Sequence, residues 1–202
     1  MRLTAFEEYM LLDSHPAYPM SCFIELILKG DFDSAAFTEA ADAAVRLHPL
    51  LSCSAEQTAD GYHRWVPHEP AVCVIVSENT GTSSLPVSGG IDLFREVPLK
   101  ITVCRLDAAV TQITMEVHHT ACDAAGAFRF AEDVLYGYAC RKGAADVSVQ
   151  REAVKPELLP QRGKYGLTPS VWLRILPKQL WGLTRAWMFL FRRIRPLVPV
   201  QP

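Results

Sequence analysis

Between Leu99 and Tyr138 the chain changes its hydrophobic period, and that change limits what it can fold into. Two apolar, β-branched runs come first, Leu99 to Leu106 and Thr111 to His119, joined by the short link Asp107-Ala108-Ala109. Runs of this kind with so short a link make an antiparallel hairpin the economical reading. From Ala124 to Tyr138 the spacing becomes helical: Ala127, Phe130, Ala131, Val134, Leu135 and Tyr138 form one stripe, and Gly143 follows its end. Each element has an apolar side to bury, which is met by laying the helix on the sheet.

The remaining segments extend this pattern. Thr4 to Leu12 reads as a short helix with Thr4 as its cap and Glu7 at the capping-box position. Cys22 to Leu28 reads as a strand closed by Lys29-Gly30-Asp31. A helix capped by Asp33 or Ser34 follows, with Phe37, Ala40, Ala41, Ala44 and Val45 on its buried side, Pro49 as its stop and His48 on its last carbonyls. Short strands are expected around Tyr62 to Val66 and Ala71 to Val76, then a Gly/Ser/Thr/Pro-rich loop from Asn79 to Gly90. Helices and strands in this irregular order point to an α+β two-layer sandwich, a mixed and largely antiparallel sheet with helices packed on it, plus C-terminal amphipathic helices. Gly89-Gly90 lacks the lysine and following helix of a phosphate cradle.

A chain of 202 residues, half of them apolar, can bury one sizeable core. The formal charge of −2 hides an asymmetry. All 22 acidic residues lie at or before Glu157 with 12 of the 20 basic ones, which leaves −10 in that stretch and +8 from Arg162 to Arg195. We therefore divide the chain into a domain at 1–150 and a basic amphipathic helical tail at 151–202. The six cysteines form no CxxC pair and read as small buried hydrophobes of a reducing compartment. Glu7, Glu8 and Asp13 interrupt any secretory signal, so the expected location is cytoplasmic, with peripheral membrane contact through the tail as a further option.

Reactive groups concentrate in one place, Val117-His118-His119-Thr120-Ala121-Cys122-Asp123-Ala124-Ala125-Gly126, at the strand-to-helix junction. Alternation along the strand puts Ile113, Met115, Val117 and His119 on one face and Thr114, Glu116 and His118 on the other. The two histidines then point apart, which argues against a shared metal ion, and no third ligand stands at a recognisable spacing. His119 is left at the strand end, where a neutral imidazole can take a proton from a hydroxyl or amine. Asp123 opens the helix, where a carboxylate caps free N–H groups. Cys122 has no second signal of a nucleophile, and His15, His63 and His68 belong to no constellation.

The order strand, His118-His119-x-x-x-Asp123, helix resembles the chloramphenicol-acetyltransferase-like superfamily, which includes plant-type acyltransferases, peptide-synthetase condensation domains and wax ester and diacylglycerol synthases. Arg46-Leu47-His48-Pro49-Leu50-Leu51 and Val97-Pro98-Leu99 resemble further stretches of that family, so the likeness covers roughly residues 1 to 142. It implies that His119 is the base activating an acceptor for attack on an acyl thioester, with acyl-CoA as co-substrate and no bound cofactor or metal. Asp123, His118 and Gly126 would support the motif, the aspartate usually held by an arginine. Ala124 stands where the family has glycine, and Gly126 matches the related D-x-x-G form. Members have two similar halves. The D-F-G-W-like motif of the second is absent from this sequence, so the resemblance implies an N-terminal half plus a connector: a fragment, a degenerate relative, or a chain that pairs with a second half-domain or forms a homo-oligomer. The rival readings are a non-catalytic half-domain that binds a protein or a membrane surface, and condensation-type amide formation on a carrier protein.

In the tail, Arg174, Lys178, Arg185 and Arg192 fall within about 40° on a helical wheel, opposite Trp172, Leu176, Leu180, Leu183, Trp187, Leu190 and Ile194. Pro177 is expected to divide this stretch into two helices. The basic amphipathic pattern suits a membrane surface or a protein partner, and the acidic remainder argues against nucleic acid. Lys178 and Arg185 break its apolar run too early for a membrane span.

Overall fold

The computed structural model describes residues 1–70, 72, 74–78, 90–143, 153–164 and 168–190. The loop from Asn79 to Gly89, Ala71, Cys73, Arg192 and Ile194 lie outside that range, as do the side chains of Arg185, Trp187 and Leu190. Two compact units are present, Met1–Pro160 and Gln161–Pro202.

The first unit is an α+β sandwich of the expected kind. Helix α1 (Ala5–Asp13) carries the full capping box, with Thr4 Oγ1 accepting from Glu7 N–H and the Glu7 carboxylate from Thr4 N–H. Strand β1 (Ser21–Lys29) is followed by α2 (Ser34–Val45), whose cap is Asp33, its carboxylate accepting from Ala36 N–H at 3.0 Å. Then come β2 (Cys53–Gln57), β3 (His63–Pro67), β4 (Val74–Glu78), β5 (Leu99–Arg105), β6 (Val110–His118) and α3 (Ala124–Arg141). The main sheet has the order β1-β6-β5-β4. It is mixed, because β6 pairs antiparallel with both neighbours while β4 runs parallel to β5.

Strand β6 is central, and every residue from Thr111 to His118 is buried. Helices α2 and α3 cover one face. Phe37, Ala41, Val45, Phe130 and Val134 pack there against Ile101, Val103, Ile113, Met115 and Val117. The two helices approach closely where Gly137 faces Ala40, since a Cβ on the glycine would stand 3.4 Å from that of Ala40. A second, smaller core joins α1 to the β2–β3 hairpin through Leu3, Leu11, Cys53, Ala55, Trp65, Ile91 and Leu93. Carboxylates of α1 reach across it: Glu7 accepts from Trp65 Nε1–H at 3.2 Å, and Glu8 accepts from His63 N–H at 2.9 Å.

The structure departs from the sequence expectations in several places. Strand β2 and the 3-10 turn at Pro49–Ser52 were not expected, and the strand placed at Ala71 to Val76 spans Val74–Glu78. His48 meets the last carbonyl of α2 through its backbone alone, its N–H donating to the Val45 carbonyl at 3.1 Å. Its ring reaches α3, with Nε2 2.7 Å from Asp133 Oδ2 and its edge on the Phe130 ring, because that buried carboxylate offers a stronger partner than a backbone carbonyl. His119 lies just beyond β6 rather than in it.

In the second unit, α4 (Pro169–Leu190) is one continuous helix and not two. Thr168 caps it, its carbonyl accepting from Trp172 N–H at 2.9 Å. Pro177 sits inside, giving up one backbone hydrogen bond without ending the helix.

Candidate active site

The junction is built by a closed set of hydrogen bonds around the two histidines. His119 opens the turn after β6, and its N–H donates to the Met20 carbonyl at 2.7 Å, extending the β1–β6 pairing one step past the strand. The chain then turns, with Ala121 N–H donating to the His118 carbonyl at 3.0 Å. Strand parity therefore stops at His118, and the turn sets the direction of His119. The imidazole of His119 is half-buried, and neither ring nitrogen has a hydrogen-bond partner among the described residues.

His118 is the opposite case, 1% exposed with both nitrogens engaged. Its Nδ1 accepts from Thr120 N–H at 3.2 Å, which leaves the proton on Nε2 to be donated to Ser14 Oγ at 3.1 Å. Ser14 Oγ also accepts from Met20 N–H at 3.3 Å, and the Met20 carbonyl holds His119. The ring of one histidine thus fixes the backbone of the next. Burial, reinforced by the neighbouring imidazole of His119, pulls the His118 pKa down to about 4, so this ring is neutral at physiological pH. The Thr120 hydroxyl, buried beside His119, has no hydrogen-bond partner among the described residues.

Asp123 is the N-cap of α3, with Oδ1 accepting from Gly126 N–H at 2.8 Å. Among the described residues no arginine pairs with it, in contrast to the arginine partner that the resemblance implied. Gly126 is fixed by packing, because a Cβ there would lie 2.7 Å from Cys122 Sγ and 3.4 Å from Asp123 Oδ1. The Cys122 thiol is pushed up to about 12, by burial first and then by the Asp123 carboxylate and Cys22. It is a thiol at neutral pH and a poor nucleophile. Among the described residues no group of histidine, cysteine and carboxylate side chains is arranged to hold a metal ion.

A cavity of about 280 Å³ lies beside the junction. His118 lines it with Ser14, Leu11, Pro19, Leu93 and Phe94, and His119 does not. Ser14 is the residue that sequence reasoning missed. It stands 104 positions before its histidine, and no local pattern marks it. Of the other histidines, His15 lines the same cavity next to Ser14, whereas His63 sits on Glu8 and His68 on Ser54.

No protein-family model and no curated protein sequence matches the chain. Solved structures do. SgcC5 protein from Streptomyces globisporus, solved in complex with (R)-(-)-1-(2-naphthyl)-1,2-ethanediol and sucrose, superposes with a TM-score of 0.66 at 22% identity, over 90% of this chain and 46% of that one. A variant of the starter condensation domain of rhizomide synthetase, in complex with C8-CoA, gives 0.67 at 18% identity, over 82% and 41%. The X-domain from teicoplanin biosynthesis gives 0.63 at 21% identity, over 82% and 38%. The chain spans less than half the length of each of these structures. At such identities the likeness shows the fold alone, and the chain has the fold seen in part of each of these structures.

Proposed function

We propose that the chain is the base-carrying half of an HHxxxD-type acyltransferase that moves an acyl group from a thioester, with acyl-CoA as donor, to a hydroxyl acceptor. The observation that carries this reading is the contrast between the two histidines: His118 spends both ring nitrogens on structure, whereas His119 keeps both free on a backbone held from two sides. In the proposed reaction an imidazole nitrogen of His119 takes the proton of the acceptor hydroxyl as its oxygen attacks the thioester carbonyl. The tetrahedral intermediate collapses with loss of the thiolate, and the imidazolium returns the proton to sulfur. Ester and free thiol are the products. The ligands of two similar structures, a diol in one and C8-CoA in another, agree with this choice of acceptor and donor classes.

The test is thiol release from octanoyl-CoA by the purified chain in the presence of an alcohol, alone and with a separately expressed second half-domain of the same fold. The expected result is alcohol-dependent ester formation that falls by about 10²- to 10⁴-fold in His119→Ala. Activity that survives this substitution overturns the role of His119. Absence of ester in both arrangements favours the non-catalytic reading. Amide formation with a carrier-bound amine, in place of ester, moves the assignment to condensation chemistry.

A further inference from the structure

Helix α4 has an exposed apolar face with no function in the acyl-transfer reading. At 100° per residue, Trp172, Leu173, Leu176, Leu180 and Leu183 fall in one sector of about 100°, and Arg174 and Lys178 lie roughly opposite. All five apolar side chains are exposed, Leu173 at 73% and Leu183 at 65%; Trp181, also exposed, lies on the basic side about 20° from Arg174. A face of this size in water is an interaction surface. Three of the four tryptophans of the chain are in this helix, while the fourth, Trp65, is buried in the first unit. The helix also lies in the stretch after Glu157 that holds eight basic residues and no acidic one.

We infer that α4 docks on an anionic lipid surface, lying in the plane of the interface. An apolar sector, a tryptophan at its edge, here Trp172, and an uncompensated positive charge suit such a helix, and a bilayer rich in acidic headgroups complements all three. No helix among the described residues is long and apolar enough to cross a membrane, so the contact is a surface one. Arg174 and Lys178 face the headgroups as the leucines enter the acyl boundary.

The full chain is titrated with vesicles of phosphatidylcholine and with vesicles of phosphatidylcholine mixed with phosphatidylglycerol, reading tryptophan emission and co-sedimentation. The expected result is a blue shift and pelleting with the anionic vesicles only, weakened by salt. Binding falls at least about tenfold in Arg174→Glu/Lys178→Glu and in Leu176→Asp/Leu180→Asp. Circular dichroism verifies that each variant keeps its fold, and the salt and lipid dependence of the wild type stands whether or not a variant folds. Equal behaviour with both vesicle types, or no shift with either, overturns the inference. A blue shift without lipid that tracks self-association in sedimentation equilibrium also overturns it, and assigns the face to a protein partner.

Discussion

Two adjacent histidines in opposite environments divide the work at the junction. His118 is a positioning residue whose neutrality is part of the fold, and this has a consequence for acid stability. Its folded pKa, about 4, is below the ordinary value of 6.5, so between these limits the unfolded chain binds a proton that the folded chain does not. Stability contributed by the neutral ring is present above about pH 6.5 and is lost as the pH falls toward 4. His118→Asn, which has no proton to gain, is expected to be less stable than wild type at pH 7 but to lose less on acidification. Thermal unfolding of both proteins from pH 7 to pH 4 checks this, and parallel curves would refute it. None of this was legible in the sequence beyond the pair itself. Strand alternation ends at His118, and the partners that hold the junction, Ser14 and the Met20 backbone, come from the far end of the chain.

Elements with their own periodicity were readable, and elements held by distant partners were not. The α2 stripe at Phe37, Ala40, Ala41, Ala44 and Val45 is buried as its spacing requires. In contrast, β2 has the sequence Cys-Ser-Ala-Glu-Gln, poor in the residues that favour strands. It exists because β3 pairs with it and because Ala55 N–H donates to the Leu93 carbonyl at 2.7 Å. His48 escaped in the same way, since Asp133 lies 85 positions on. Pro177 misled because a single lost hydrogen bond does not stop a helix whose flanking turns are otherwise favourable. Helix packing offers a sharper test. Gly137 permits the close approach of α3 to Ala40 on α2, so Gly137→Leu forces the helices apart and is expected to cost about 1–3 kcal/mol despite the better helix propensity of leucine. Urea unfolding measures it, and an unchanged midpoint would show that the seam is soft.

At the scale of the molecule, the chain joins an acidic sandwich to a basic helix. Both apolar cores are drawn from residues that precede Arg141, within the unit Met1–Pro160. A chain ending at Pro160 is therefore expected to fold, with a cooperative transition and a midpoint close to that of the full chain. Trp65 would be its only tryptophan and a suitable reporter, because it is 2% exposed and tied to Glu7 in the smaller core. The same chain would carry a formal charge of −10 instead of −2, and so bind an anion exchanger more tightly. Anionic vesicles would no longer retain it. A truncated chain that folds and loses vesicle binding separates the fold of the sandwich from the lipid contact proposed for the helix. One that fails to unfold cooperatively would mean that residues after Pro160 are part of the fold itself, and that α4 has a structural duty besides any surface it meets.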